Sequence, residues 1–260
     1  MSNEFIKYSV EGSVAKIILS RPEKFNSFIR EMALQLQDAF DKATADKNVR
    51  AIYFSGEGKA FCAGQDLSEA IDANGPGIKK IVEEHYNRII KKIRSIEKPV
   101  VCAVNGAAVG AGANIALACD LVIAASSSFF SQGFSKIGLI PDSGGTFFLP
   151  RLIGFGKASA LMMLGDKVSA LDAEKMGMIY KVADDSKLQE EAFTVAKILS
   201  EMPTKGIGLT KRLLNESMTN TLDKQLDSEG QLQEQATKTY DFNEGVKAFL
   251  EKRKPVFKGE

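Results

Sequence analysis

Three times before residue 146, a short apolar run of strand character empties into a glycine-rich loop and then a helix. VRAIYFSG leads to GEGKAFCAGQDL, KPVVCAV to NGAAVGAGA and the compact ANIALAC, and DLVIAAS to the irregular FFSQGFSKIGLIPDSGGT. Runs this apolar suit strands buried on both faces. Strands alternating with helices about every 45 to 50 residues predict stacked β/α units with parallel pairing. The flanks extend the plan. EFIKYSV and VAKIILS read as a β-hairpin around a Gly-containing turn, while REMALQLQDAFDKATAD and the stretch from Ile78 to Ile96 carry apolar residues at helical spacing. KASALMMLG and SALDAEKMG are helical, with a short strand at MIYKVA. Past about residue 187 strand signals stop, and LQEEAFTVAKILSEM, KGIGLTKRLLNESM, TLDKQLDSEGQLQEQATKT and DFNEGVKAFLEKRK predict four helices. The expected organisation is an α/β core over residues 1–200 and a helical region over 201–260, packed on the core or on a neighbouring subunit.

A single histidine, His85, occurs in 260 residues, and its charged neighbours in IVEEHYNRIIKKI place it on a solvated helix face. That argues against a His-ligated metal and leaves acid–base chemistry to carboxylates. Cys62, Cys102 and Cys119 form no CxxC pair and read as reduced, buried thiols. A net charge of +1 disfavours nucleic acid as the ligand, and no apolar run is long enough to span a bilayer. The opening MSNEFIKYSV lacks the pattern of a secretory leader and the closing FKGE is not a peroxisomal address, so the expected location is the cytoplasm.

The loops AFCAGQDL and NGAAVGAGAN each follow a predicted buried strand and introduce a helix. Glycine lets backbone approach a ligand, and a helix start directs free N–H groups at it, although either loop alone also serves as a plain tight turn. Phosphate cradles fail on spacing. GFGKAS has Ala158 where a P-loop needs Ser or Thr, and Gly110-Ala111-Gly112 lacks the third glycine of GxGxxG. Two loops aiming one N–H each at the same oxygen would stabilise an enolate or oxyanion, activating a carbonyl compound without metal or histidine. In GLIPDSGGT, Asp142 stands between Pro141 and a Ser-Gly-Gly turn. It suits an N-cap worth about 1 kcal/mol, or a carboxylate whose pKa rises among apolar neighbours such as Phe134, Ile140 and Phe147.

AFCAGQDL, KPVVCAVNGAAVGAGANIALACDLVIA and IGLIPDSGGTFFLPRLIG together resemble the crotonase, or enoyl-CoA hydratase/isomerase, superfamily, and the likeness runs from RPEKFNSF to FLEKRKPVFKG. The resemblance implies an α/β fold, a crotonase-like spiral of ββα units with a C-terminal helical trimerisation region. It implies acyl-coenzyme A substrates, assembly as a homotrimer or dimer of trimers, and no separate cofactor. It assigns the two oxyanion N–H groups to Gln65 and Ala111. Lys24 and the segment Ala63 to Leu67, including Asp66, match places that touch coenzyme A. Asn114 and Phe134 fall at substrate-binding positions where hydratases carry their two glutamates.

Asparagine cannot act as a general base and phenylalanine has no proton to exchange, so hydration is disfavoured and Asp142 becomes the candidate proton carrier. IPDSGGTxFLPRL, with Asn114 and Phe134, looks like the 1,2-epoxyphenylacetyl-CoA isomerase branch, which is similar in turn to 3-enoyl-CoA to 2-enoyl-CoA isomerases. The alternatives are another crotonase chemistry or a non-catalytic acyl-CoA-binding protein. Aromatic dehalogenation, one such chemistry, also needs a histidine near Asn87, and His85 is two residues away.

Overall fold

A computed structural model describes residues 4–260, so the first three residues of the opening segment lie outside it. Ile6–Glu11 (β1) and Val14–Leu19 (β2) form the expected hairpin, antiparallel from Ile6 opposite Leu19 to Glu11 opposite Val14. Arg30–Ala45 (α1) buries Met32, Leu36 and Phe40, one turn apart each time.

The strand–strand–helix unit then repeats. Ala51–Gly56 (β3) and Ala60–Cys62 (β4) lead to the short helices Leu67–Ala70 (α2) and Gly77–Lys80 (α3), a π-helical turn over Ile81–Tyr86, and Asn87–Ser95 (α4). Val100–Val104 (β5) and Ala107–Val109 (β6) lead to Ala111–Leu117 (α5). Leu121–Ala125 (β7) and Phe129–Ser131 (β8) lead through a 3₁₀ turn, Gly133–Ile137, to Gly145–Ile153 (α6) and Phe155–Leu164 (α7). After Lys167–Ser169 (β9), Ala170–Lys175 (α8) and Lys181–Ala183 (β10), the regular elements are the helices Leu188–Glu201 (α9), Thr204–Ser217 (α10), Leu222–Thr237 (α11) and Tyr240–Leu250 (α12).

The first strand of each unit joins a six-stranded sheet of order β1-β2-β3-β5-β7-β10, and the second joins a four-stranded sheet of order β4-β6-β8-β9. Pairing is parallel from β2 to β10 and from β4 to β8. A chain that deals successive strand pairs to two sheets advances as a spiral, as expected. The large sheet is covered on both faces, which explains its unbroken apolar runs. Ile52, Phe54 and Cys102 pack with Leu36, Phe40 and Ile89 on one side, while Tyr53, Val101 and Ile123 pack with Leu188, Ala192 and Ala196 of α9 on the other.

Two details depart from the sequence expectation. β4 and β6 lie inside stretches that read as loops, because three-residue strands are made by backbone pairing and carry no period of their own. His85 is fully buried, not solvated. The π turn carries both His85 and Tyr86 inward, and the His85 Nε2 lies 3.2 Å from the Arg30 guanidinium. That guanidinium also pairs with Glu84 at 2.6 Å, so the flanking charges face a partner on α1.

The helix α10 is tied to the core through Lys211, whose buried Nζ donates to Asp120 Oδ2 at 2.7 Å and to the Lys98 carbonyl at 3.2 Å. Asp120 also accepts from Arg94 at 3.1 Å and from the Val100 N–H at 2.8 Å.

Candidate active site

The two glycine loops meet at a cavity of about 250 Å³. In the first loop, the Phe28 N–H donates to the Gly64 carbonyl at 2.7 Å, and the Asp66 N–H donates to the Phe28 carbonyl at 2.9 Å. That parallel bridge engages the groups on either side of Gln65 and turns the Gln65 N–H the other way, where no carbonyl among the described residues accepts it. In the second loop, Ala111 opens α5, and the first N–H of a helix has no acceptor within it.

Gly64 sets the spacing between the two loops. Its φ is +90°, and a Cβ placed on it would lie 3.0 Å from the Val109 carbonyl oxygen and 3.6 Å from the Ala111 nitrogen. Only glycine allows this backbone and this approach. Gln65 and Ala111 therefore bring two free N–H groups to adjoining parts of one cavity wall.

The Gln65 side chain is fixed as well. Its Oε1 accepts from the Tyr86 hydroxyl at 2.8 Å and its Nε2 donates to Glu69 Oε2 at 2.9 Å. Tyr86 is fully buried, edge-on to Phe28, and lines the cavity. Burial pushes its phenol well above the ordinary tyrosine range, so it remains a neutral donor.

Asp142 is the one carboxylate in the wall among the described residues. Burial pushes its carboxyl above the usual carboxylate range, opposed by the hydrogen bond that Ser143 Oγ donates to Oδ1 at 2.8 Å. The capping role does not hold. The residue before α6 is Gly144, and the Asp142 side chain takes no N–H of that helix. Ser143 and Gly144 both adopt left-handed backbone, at φ +52° and +73°, and this double turn leaves the Asp142 carboxylate at the cavity. Its main-chain carbonyl instead accepts from the Gly145 N–H and from Asn114 Nδ2, both at 2.9 Å.

The expected apolar surroundings are partly corrected. Phe134 lines the cavity, but Ile140 is 83% exposed on the outside of the turn, and Phe147 faces outward beneath the Arg151 guanidinium, 3.9 Å from its ring. Ile81, Val82, Ile137 and Leu139 take their place.

The cavity thus gathers Ala63, Gln65, Leu67, Ala111, Phe134 and Asp142. Lys24 stands outside it, exposed on a 3₁₀ turn. Asp66 also lies off the wall, where it pairs with Arg21 at 2.8 Å and caps α2 through the Ser68 N–H. Asn114 is fully buried behind the wall, accepting from Gln132 Nε2 at 2.7 Å. Sequence reading missed Tyr86, Gln132 and Ser143. Tyr86 is hidden in an irregular helical turn, and the other two act through hydrogen bonds that leave no periodic mark.

A spiral of ββα units whose glycine loops line one apolar, acid-bearing cavity defines the crotonase architecture. The chain belongs to the enoyl-CoA hydratase/isomerase family, whose model matches residues 9–260. It is 46% identical to the 1,2-epoxyphenylacetyl-CoA isomerase of Escherichia coli (strain K12), over 99% of each chain. It is 36% identical to the trans-2-decenoyl-[acyl-carrier-protein] isomerase of Streptococcus mutans, over 98% of each. Among solved structures, the enoyl-CoA hydratase from Bacillus anthracis superposes with a TM-score of 0.92 at 33% identity, covering 99% of this chain and 100% of that one. The protein is therefore a crotonase-family enzyme, and its relatives include both isomerases and hydratases.

Proposed function

We propose that this enzyme isomerises an acyl-CoA thioester, converting ring 1,2-epoxyphenylacetyl-CoA to its oxepin isomer and shifting 3-enoyl-CoA double bonds to the 2-position. The observation that carries the reading is Asp142, the single carboxylate among the described residues of a wall that is otherwise uncharged and mostly apolar. The positions where hydratases keep their glutamates hold Asn114, whose carboxamide is hydrogen-bonded at both its nitrogen and its oxygen, and Phe134. No second acid in the wall is left to position and split a water.

In the double-bond shift, Asp142 takes the α-proton, the electron pair moves onto the thioester oxygen, and the Gln65 and Ala111 N–H groups stabilise that charge. The same carboxyl then returns the proton at the γ-carbon, so no atom is gained or lost. A raised carboxyl pKa suits a group that must both accept and donate near neutral pH. Coenzyme A enters as part of the substrate, with Lys24, Asp66 and Leu67 toward its carrier portion, and no other cofactor takes part. Assembly as a homotrimer or dimer of trimers and a cytoplasmic location belong to the same proposal. All three cysteines are free and buried, and no helix among the described residues is long and apolar enough to cross a membrane.

The test is parallel incubation with 1,2-epoxyphenylacetyl-CoA and a 3-enoyl-CoA, read by mass and ultraviolet spectra. Products of unchanged mass and altered spectrum are expected; gain of one water would replace the proposal with hydration.

A further inference from the structure

Among the described residues the Asp142 carboxylate has one side-chain partner, Ser143, and that residue belongs to the same turn. Where the acid sits is therefore decided by what holds the turn itself. The fully buried Asn114 does so from α5, donating through Nδ2 to the Asp142 carbonyl at 2.9 Å. Its Oδ1 accepts from Nε2 of Gln132, itself 2% exposed at the end of β8, at 2.7 Å.

The direction of this chain is forced. The Asp142 carbonyl can only accept, so Asn114 must turn its NH₂ toward the turn and its oxygen toward Gln132, which must then donate. Gln132 Oε1 is left buried without a partner among the described residues. Gly145 closes the arrangement, because a Cβ there would lie only 2.4 Å from Asn114 Nδ2. A carboxylate at 114 has no N–H to give the carbonyl, and an apolar side chain serves neither end.

Asn114 also lies one turn along the helix that starts at Ala111. One rigid element thus carries an oxyanion donor at its first residue and the anchor of the acid three residues later. We infer that Asn114, oriented by Gln132, is a positioning residue that sets the Asp142 carboxyl relative to the Gln65 and Ala111 N–H groups. This inference rests on the proposed role of Asp142.

The experiment compares Asn114→Ala, Asn114→Asp and Gln132→Leu with wild type and with Asp142→Asn, using 3-enoyl-CoA and 1,2-epoxyphenylacetyl-CoA. Circular dichroism and thermal melts are recorded for each variant. A shift of the acid by about 1 Å should lower kcat roughly 10- to 100-fold in the Asn114 variants, with KM within about threefold. In Asn114→Asp the added negative charge should also move the acidic limb of kcat to higher pH. Gln132→Leu should fall less, by about tenfold, because Asn114 keeps its bond to the turn. Lower melting temperatures with kcat and the acidic limb unchanged would overturn the inference while an inactive Asp142→Asn left the function standing. Full turnover by Asp142→Asn would overturn both. Should the Asn114 variants fail to fold, an unchanged kcat in Gln132→Leu is the refuting result.

Discussion

Replacing Gly64 by alanine tests the oxyanion site without touching either donor. At φ +90° an alanine carries the left-handed penalty of about 1–2 kcal/mol. Its methyl also meets the Val109 carbonyl oxygen at 3.0 Å, tighter than ordinary contact, so the loop or the end of β6 must yield by a few tenths of an ångström. The two costs together predict a loss of about 1–3 kcal/mol in urea unfolding. The displacement has a direction. The methyl points toward the Ala111 nitrogen, at 3.6 Å, so relief separates the two N–H groups that should converge on one oxygen. Withdrawing one such donor lowers kcat by about 10²- to 10³-fold. Steady-state kinetics on the folded variant should show that loss in kcat with little change in KM. Turnover within about threefold of wild type would refute the assignment of Gln65 and Ala111 as the oxygen-binding pair.

Two further predictions concern stability. The Asp142 carboxyl lies above its unfolded value, so the folded protein holds that proton more tightly than the unfolded chain and wild type loses stability as pH rises through that interval. Asp142→Asn should therefore melt higher than wild type at neutral pH, with the advantage vanishing in acid below the ordinary carboxylate range; an advantage independent of pH would contradict the buried-carboxylate account. Asp120→Ala leaves Lys211 buried without its counter-charge and should cost about 3–5 kcal/mol by urea unfolding, part of which an added Lys211→Met recovers.

The layout of the fold was readable because buried strands such as VRAIYFSG and KPVVCAV carry it in their composition, and the glycine loops mark where each strand meets a helix. The glycine loops pointed to a pair of backbone donors, but Gln65 and Ala111 were placed in that role only by the resemblance to the crotonase superfamily, while Asp142 stood out as an acid in an apolar turn. Other features were hidden because they are made between distant segments. His85 reads as solvated until its π turn is packed against Arg30, 55 residues away in sequence. Asn114 matters through a bond to a carbonyl 28 residues on, and no local pattern announces which carbonyl that will be. Asp142 has the sequence of a helix cap, and only the left-handed backbone at Ser143 and Gly144 removes it from that duty.

The central claim is that one carboxyl carries the proton. Its most direct test is turnover of a 3-enoyl-CoA by Asp142→Asn, measured beside acyl-CoA binding by the same variant. Asparagine fills the same space and leaves the main-chain bonds to Asn114 and Gly145 in place. The account predicts binding within about threefold of wild type and kcat lower by about 10²- to 10⁴-fold. Full turnover with asparagine at 142 would contradict it.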